Sequence, residues 1–466
     1  METGQYGNWL TVIGVGEEGE AGLSPAARSI IRNAELVVGG SRHLDLVAGL
    51  INGQRLIWSS PLSATLPQLL AWRGQRVVVM ASGDPLFFGV GSTLQRYLPL
   101  EEMSLIPHPS CVSLAAARLG WTQQDCTTIS LSGRPLESLR AVLQPGRGVF
   151  VLSADASTPV RVANALVEWG FGATTICVLE ALGGPREAIS HYSATDLAQK
   201  TEGQAQSPVK SPLNSGNTEG QAQKVGQAGG GHGSGSEAEE EAAGGQAQGF
   251  VDQQANGDVP AFAQINLLAL DVIADSGARI IPFVPGLIDE WFEHDGQITK
   301  REIRSVTLSS LRPQHGQMLW DVGCGSGSIA IEWLLADSST QAVAIDQEPE
   351  RADRAARNAA AFGVPRLDVR TSLAPKAFPD LPTPDAIFLG GGLRDINVIK
   401  AAWDALPAGG RLVANAVVIE TEQLLYQGWQ NYGGSLTRLS VERLGNVGSL
   451  HAFRPSMTVL QWAAEK

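Results

Sequence analysis

The chain has 466 residues, 43% hydrophobic and 17% charged, with a formal net charge of −13. That composition suits two or three cored domains, and the acidic balance argues against nucleic-acid binding, which needs clustered Lys and Arg. No apolar run approaches the ~18 residues of a membrane span, and METGQYGNW lacks the basic-then-apolar order of a signal peptide, so a cytoplasmic protein with no membrane association is expected.

Cys111, Cys126, Cys177 and Cys324 stand far apart without a CxxC pair, so neither a disulfide framework nor a bound metal is expected. LTVIGVG (10–16) reads as a buried strand ending in a glycine turn. LSPAARSIIRNA (23–34) follows as an amphipathic helix, with Ser24 as N-cap and Pro25 at its first position. ELVVGG (35–40) is the next strand. RVVVMASGDPLFFGVGSTL (76–94) repeats the device: an apolar strand, Ser82-Gly83-Asp84-Pro85, then a helix. GVFVLSADASTPVRVANALVEWGF (148–171) does so again, and TTICVLEALGGPRE (174–187) comes next. Strand and helix alternate, which implies a largely parallel sheet with ligands at the carboxyl ends of its strands.

Gly14-x-Gly16, with Gly19, is in the register of a dinucleotide fingerprint, but Glu17, Glu18 and Glu20 would repel a pyrophosphate. A neutral or cationic ligand suits the turn better. The Ser82–Pro85 turn reads equally well as a tight helix start. With IPHPSCVSLAAARLGW (106–121), these segments stand in an order and spacing that resembles the tetrapyrrole methylase family, most of all its branch that methylates a meso carbon of the corrin precursor in cobalamin synthesis. The resemblance covers roughly 10–200 and 262–273. It implies an α/β fold of two lobes with S-adenosylmethionine folded in the cleft between them, lined by Gly14, Gly16, Ser82, Gly83 and Asp84. Glu17-Glu18 stand where the family usually has Pro-Gly.

Residues 200–258 are mostly Gly, Gln, Ala, Ser and Glu, with TEGQAQ at 201 and again at 218. So few large apolar residues cannot offset the ordering entropy, and the stretch reads as disordered. The apolar run at 265–273 after it reads as a strand. The stretch is therefore taken as an expanded loop within a first domain of 8–274, an insertion tolerated because loop-closure entropy rises slowly with length.

PFVPGLIDEWFEHDGQITKREIRS (282–305) reads as a cap opening a second domain, 280–466, with Thr299 and Glu302 spaced as a capping box. MLWDVGCGSGSIAIEW (318–333) is a strand, a GxGxG loop and a helix that turns Ile329, Ile331 and Leu334 or Leu335 to a sheet. Gly323, Gly325 and Gly327 let the backbone approach a ligand, with the small Cys324 and Ser326 between them. QAVAID ends in Asp346, 23 residues past Gly323, where an acid can accept both ribose hydroxyls. The tight glycine spacing favours S-adenosylmethionine over a dinucleotide. RTSLAPKAF (370–378) supplies the turn over the adenine, with Ser372, Leu373 and Ala374 nearest. DAIFLGGG (385–392) carries Gly390, Gly391 and Gly392, open space for a large flat acceptor, in place of a base-methylation motif.

With AIDQEP and NAVVIET, these segments are similar to the decarboxylating C15-methyltransferase family of the same pathway over nearly all of 282–455. That implies a Rossmann-like class I methyltransferase domain, Thr299 beside the cofactor, and Lys300 and Arg304 near the acceptor. Lys300, Arg301, Arg304 and Arg394 are candidates for a basic rim that meets the macrocycle's carboxylates. Asp346 stands where that family often has Glu.

Together the resemblances imply two methyl additions to one corrin-precursor tetrapyrrole, precorrin-6B to precorrin-8X. The first half would methylate C5, and the second C15 with loss of the ring C acetate as carbon dioxide. The partners implied are that substrate and further copies of the chain as a homo-oligomer, without nucleic acid. A sulfonium methyl is already activated, so placement and dryness carry the chemistry and no side chain is assigned as catalytic. His43, His108 and His191 are read as surface or cap residues. Two other readings stay open: paired methyltransferases acting on another tetrapyrrole or on RNA, and a sensing or assembly module.

Overall fold

The apolar runs become three sheets, each buried on both faces, which is why their strands read as near-continuous Val, Ile, Leu and Ala. The structure is a computed structural model that describes residues 7–59, 64–205, 261–391, 393 and 395–466. Gly392, Arg394 and the stretch 206–258 lie outside the described residues. The helix Ala194–Ala205 overlaps the start of the segment read as disordered, so helix extends past residue 200.

The first sheet contains β1 (Leu10–Val15), β2 (Leu36–Gly39), β3 (Gln54–Ile57), β4 (Val77–Ser82) and β5 (Met103–Ile106), in the order β3-β2-β4-β1-β5. Every pairing is parallel. Ser24 caps the helix Pro25–Asn33 by accepting from Ala27 N–H at 3.2 Å.

The second sheet contains β6 (Thr127–Ser130), β7 (Gly148–Leu152), β8 (Thr175–Glu180), β9 (Ala188–Ser193) and β10 (Asn266–Asp271), in the order β6-β7-β10-β8-β9. The expected parallel arrangement does not extend to it. β6 and β7 are parallel, but β10 runs antiparallel between β7 and β8, and β9 antiparallel to β8. The physical cause is the connections: β8 and β9 are joined by a short loop, and short connections make antiparallel pairs. The chain thus returns after residue 260 to fill the middle of this sheet.

The third sheet is built from β11 (Met318–Val322), β12 (Gln341–Asp346), β13 (Asp368–Thr371), β14 (Ala386–Leu389), β15 (Arg411–Ala416), β16 (Ser435–Leu439) and, after a hairpin of β17 (Glu442–Val447) and β18 (Leu450–Pro455), β19 (Val459–Glu465). Its order is β13-β12-β11-β14-β15-β19-β16, with β19 antiparallel to both neighbours. The order reverses beside β11, so a crevice opens between the loops after β11 and β14. The helix Ser328–Ala336 is buried all round, not only on its sheet side, because the helix Arg301–Leu311 covers it.

The capping box is not formed. The helix begins at Arg301 with Lys300 as N-cap and no side-chain cap bond, and Glu302 instead pairs with Arg443 of β17. Arg304 also departs from expectation. It is fully buried, with Nε 2.5 Å from Glu332 Oε1 and Nη1 3.0 Å from Asp289 Oδ1, over the Phe292 ring. Nη1 also donates to the Thr299 carbonyl at 2.6 Å, and Glu332 accepts from Gly286 and Leu287 N–H. Every polar partner of this charge is internal, so Arg304 belongs to no substrate-facing rim; it ties the cap segment to the core.

Candidate active sites

Four loops meet at the carboxyl ends of the first sheet. β1 runs into the glycine turn, β2 into the short helix Ser41–Leu46, β4 into Ser82–Pro85, and β5 towards His108. A Cβ on Gly14 would lie 1.8 Å from the Gly83 carbonyl oxygen, so the loops after β1 and β4 interlock only because Gly14 has none. Gly83 N–H donates to Val15 O at 3.1 Å, and His108 N–H to Gly83 O at 3.3 Å. Gly14, Gly16, Ser82 and Gly83 are thereby brought together. Asp84 is beside them, but its carboxylate accepts from Leu86 N–H at 2.8 Å and holds the turn.

The acids of the glycine turn are tied down. Glu17 pairs with Arg42, Glu18 Oε1 lies 2.6 Å from His108 Nε2, and Glu20 accepts from Gly49 N–H at 2.9 Å. The loop after β8 comes against them: a Cβ on Gly184 would fall 2.6 Å from that of Glu17. ALGGPRE therefore brings the second sheet's loop to the first sheet's turn.

His43 and His108 are not surface residues, contrary to the sequence reading; both are half-buried in this loop cluster, and only His191 is exposed. His43 Nε2 lies 2.7 Å from Ser82 Oγ and 2.9 Å from Arg42 Nη2. Burial, and then the Arg42 charge, push its pKa down to about 4.

In the second domain two cavities of about 770 and 480 Å³ share Gly323, Gly390 and Gly391. The larger is lined by Asp346, Ser372, Leu373 and Ala374. The smaller takes in Thr299, Lys300, Cys324, Gly325 and Ser326. The three loop glycines have different duties. A Cβ on Gly323 would meet Gly391 O at 2.1 Å and one on Gly327 would meet Ala355 Cβ at 2.9 Å, whereas Gly325 has only Gln297 O near, at 3.7 Å. Only Gly325 has the open space expected of all three. Its N–H donates to Asp346 Oδ2 at 2.9 Å, which fixes the acid against the loop.

No local sequence pattern singles out Asp321, the penultimate residue of β11. It is fully buried and lines the smaller cavity; Oδ2 accepts from Ala330 N–H at 3.1 Å and Oδ1 has no partner. Burial pushes its pKa up to about 7, the Asp346 charge adds to the rise, and the Ala330 bond opposes it. Ser326 Oγ is likewise buried and unpartnered in the same cavity. Two orphaned polar atoms in a glycine-lined recess are what a ligand with an amino-acid end would satisfy. S-adenosylmethionine fits the residues present. Cys324 is buried, and burial followed by the nearby Asp321 and Asp346 charges pushes its thiol well up, so it is an inert wall. The mouth also carries Asn415, Arg443 and Met457, the last two brought by the hairpin region, which no local pattern announces. Among the described residues no cluster of His, Cys, Asp and Glu could hold a metal, and no helix is long and apolar enough to cross a membrane.

Residues 10–198 match the family described as tetrapyrrole (corrin/porphyrin) methylases, and 290–466 match the precorrin methyltransferase domain. A precorrin-6Y C(5,15)-methyltransferase [decarboxylating] of Sinorhizobium sp is 44% identical over 98% of this chain and 96% of its own length. A probable cobalt-precorrin-6B C(15)-methyltransferase (decarboxylating) of Saccharolobus solfataricus is 39% identical, over 30% of this chain and 72% of its own. A cobalt-precorrin-7 C(5)-methyltransferase of Salmonella typhimurium is 32% identical, over 39% and 88%. The interlocked glycine turns of the first sheet, the class I strand order of the third, and a relative matched almost end to end agree: the chain belongs to the family of decarboxylating precorrin-6Y C(5,15)-methyltransferases.

Proposed function

We propose that the chain methylates a corrin precursor twice, at C5 in the first domain and at C15 in the second with loss of the ring C acetate as carbon dioxide, using S-adenosylmethionine in both clefts. The observation that carries this reading is the smaller cavity of the second domain: Asp321 Oδ1 and Ser326 Oγ stand unpartnered in it, while Lys300 and Arg443 border it. One lining is suited to an ammonium group, the other to the carboxylates of a macrocycle.

Bound there, S-adenosylmethionine supplies an activated methyl carbon. The rest is done by the chain. Asp321 accepts the donor's ammonium group, and Asp346, its carboxylate oriented by Gly325 and Glu348 N–H, accepts ribose hydroxyls. Ser372 to Ala374 border the base, and Gly390 and Gly391 keep the acceptor's face clear of side chains. Holding carbon against methyl at about 3–3.5 Å, away from water, is the main catalytic contribution. In the first domain the interlocked Gly14 and Gly83 turns, with Ser82, offer the corresponding wall.

The homo-oligomer belongs to the same proposal. It is supported by the hairpin β17–β18, where Leu444 and Phe453 sit opposite each other at 62% and 66% exposure; a lone two-stranded ribbon is marginal in water. Cytoplasmic location follows from the pathway so proposed.

Mass spectrometry of the product from purified chain, precursor and donor tests the reading. Two methyl groups gained and one carbon dioxide lost are expected. A single methyl, or methylated RNA in place of a corrinoid product, overturns it.

A further inference from the structure

Substituting a methyl group for hydrogen on an unsaturated carbon leaves one proton over. The sulfur–methyl bond breaks and the carbon–methyl bond forms; the C–H electron pair then returns to the ring's conjugation as the proton departs. At C15 that proton has a destination within the reaction, because the acetate arm that loses carbon dioxide is left with an electron pair that takes one up. At C5 it has none. The two sites differ accordingly: among the described residues lining the second domain's cavities there is no histidine, whereas two imidazoles stand in the first cleft.

The partners of those imidazoles set their roles. Arg42 Nη2 can only donate, and it lies 2.7 Å from Ser82 Oγ. The Ser82 proton is then free to point at His43 Nε2, 2.7 Å away, which Arg42 also approaches to 2.9 Å. Two donors aimed at one ring nitrogen require a lone pair on it, so His43 is a neutral acceptor. That agrees with the pKa of about 4 set by burial and Arg42. Ser82 keeps one lone pair on an exposed side chain in the loop cluster. His108 is turned the other way: Nε2 faces Glu18 Oε1 at 2.6 Å and Nδ1 faces the Pro109 carbonyl at 3.2 Å. Both ring nitrogens are occupied by these neighbours, so neither is aimed at Ser82. Other charges around the cluster are Glu17, paired with Arg42, Arg186, 3.9 Å from Glu17, Asp84, turned to Leu86 N–H, and Glu20, turned to Gly49 N–H.

We infer that Ser82 and His43 form the proton exit of the first cleft: Ser82 Oγ takes the proton from the newly methylated carbon as it gives its own to His43 Nε2. This rests on the reading of the first domain as the C5-methylating one. The adjacent Arg42 charge keeps the imidazolium short-lived. Because His43 Nδ1 is buried without a partner, the Nε2 proton returns to Ser82 Oγ, whose exposed hydroxyl releases a proton to solvent once the product has left, and the pair resets. Arg42 acts through the other two, as a positioning residue.

The test uses the full chain, S-adenosylmethionine and a corrin precursor deuterated at its meso carbons, with Ser82→Ala and His43→Asn variants. Both variants are expected to add the C5 methyl about 100-fold more slowly, with a primary isotope effect absent from the unsubstituted chain and the donor KM little changed. C15 methylation and carbon dioxide release by the same polypeptide should persist, which reports that it is folded. Should His43→Asn lose those as well, Ser82→Ala, which alters an exposed side chain, decides. An unchanged C5 rate in Ser82→Ala overturns the inference, as does a slower rate with no isotope effect, the signature of a merely structural role. If the unsubstituted chain adds no methyl at C5, the reading of the domain fails and the relay with it.

Discussion

The two clefts differ in what fills them. In the first domain the glycine turn carries acidic side chains that fold inward, Glu17 onto Arg42 and Glu18 onto the His108 ring. In the second the loop after β11 carries small residues, and what it leaves behind is unsatisfied polarity, Asp321 Oδ1 and Ser326 Oγ. The first cleft is assembled from its own charged side chains, with Glu18 Oε2 and His43 Nδ1 left over; the second leaves its orphaned atoms on small, glycine-flanked walls open to a ligand. Yet the glycines of both have a common use. Gly14 makes room for Gly83, Gly323 for Gly391 and Gly327 for Ala355. A glycine motif is as much a fitting between neighbouring loops as a cradle for a ligand.

Five substitutions sharpen or break that comparison. The largest effect is expected from Arg304→Met, which strands the buried Glu332 carboxylate and should destabilise the second domain by about 3–5 kcal/mol. Urea unfolding reads it, and a change under 1 kcal/mol would mean the buried pair is far weaker than its geometry suggests. Next come Gly14→Ala and Gly323→Ala, whose added Cβ would meet carbonyl oxygens at 1.8 and 2.1 Å. Each should slow one methylation about 100-fold and leave the other alone; loss of both activities from either variant contradicts two separate clefts.

Asp321 gives a smaller, pH-dependent effect. Its pKa is raised from 3.8 to about 7 in the folded chain, so its contribution to stability is full below pH 3.8 and lost as pH rises through about 7. Asp321→Asn removes that slope. Without donor, the variant should be more stable than the unsubstituted chain at pH 8 by up to about 4 kcal/mol, and it should bind donor more weakly. Denaturation midpoints at pH 5 and pH 8, with isothermal titration of the donor, check both; identical pH slopes sink the idea. The smallest effect is expected from Glu302→Gln, which releases Arg443 from an exposed pair and should improve acceptor affinity by about 0.5 kcal/mol, seen as a lower KM with kcat unchanged. A higher KM would show that Arg443 needs its partner for placement.

Much of this was legible in the sequence. Apolar runs gave the strands, the glycine loops gave the crevices, and Asp346 stood in register with Gly323 because both end adjacent parallel strands. What stayed hidden depends on contacts distant along the chain. Arg304 reads as a surface cation on an amphipathic helix until Glu332 and Asp289 enclose it. His43 is a lone histidine in a short helix; only the pairing of β2 with β4 sets it against Ser82. Arg443 reaches Glu302 across 141 residues. Asp321 was visible but silent, since an acid ending a strand says nothing of its burial. The second sheet's mixed direction was hidden for a related reason: strand–helix alternation indicates neighbours, but not which way a strand arriving from far downstream will run.

That late arrival bears on how the protein can be made and cut. β10 occupies the centre of its sheet, between β7 and β8, yet it is encoded beyond residue 260. A ribosome that has delivered everything up to β9 has produced a lobe with a gap in its middle, and a shortened gene stopping there would yield sticky strand edges instead of a working half. By the same token, a protease nick anywhere in 206–260 should leave two pieces clasped together by the hydrogen bonds along both sides of that strand.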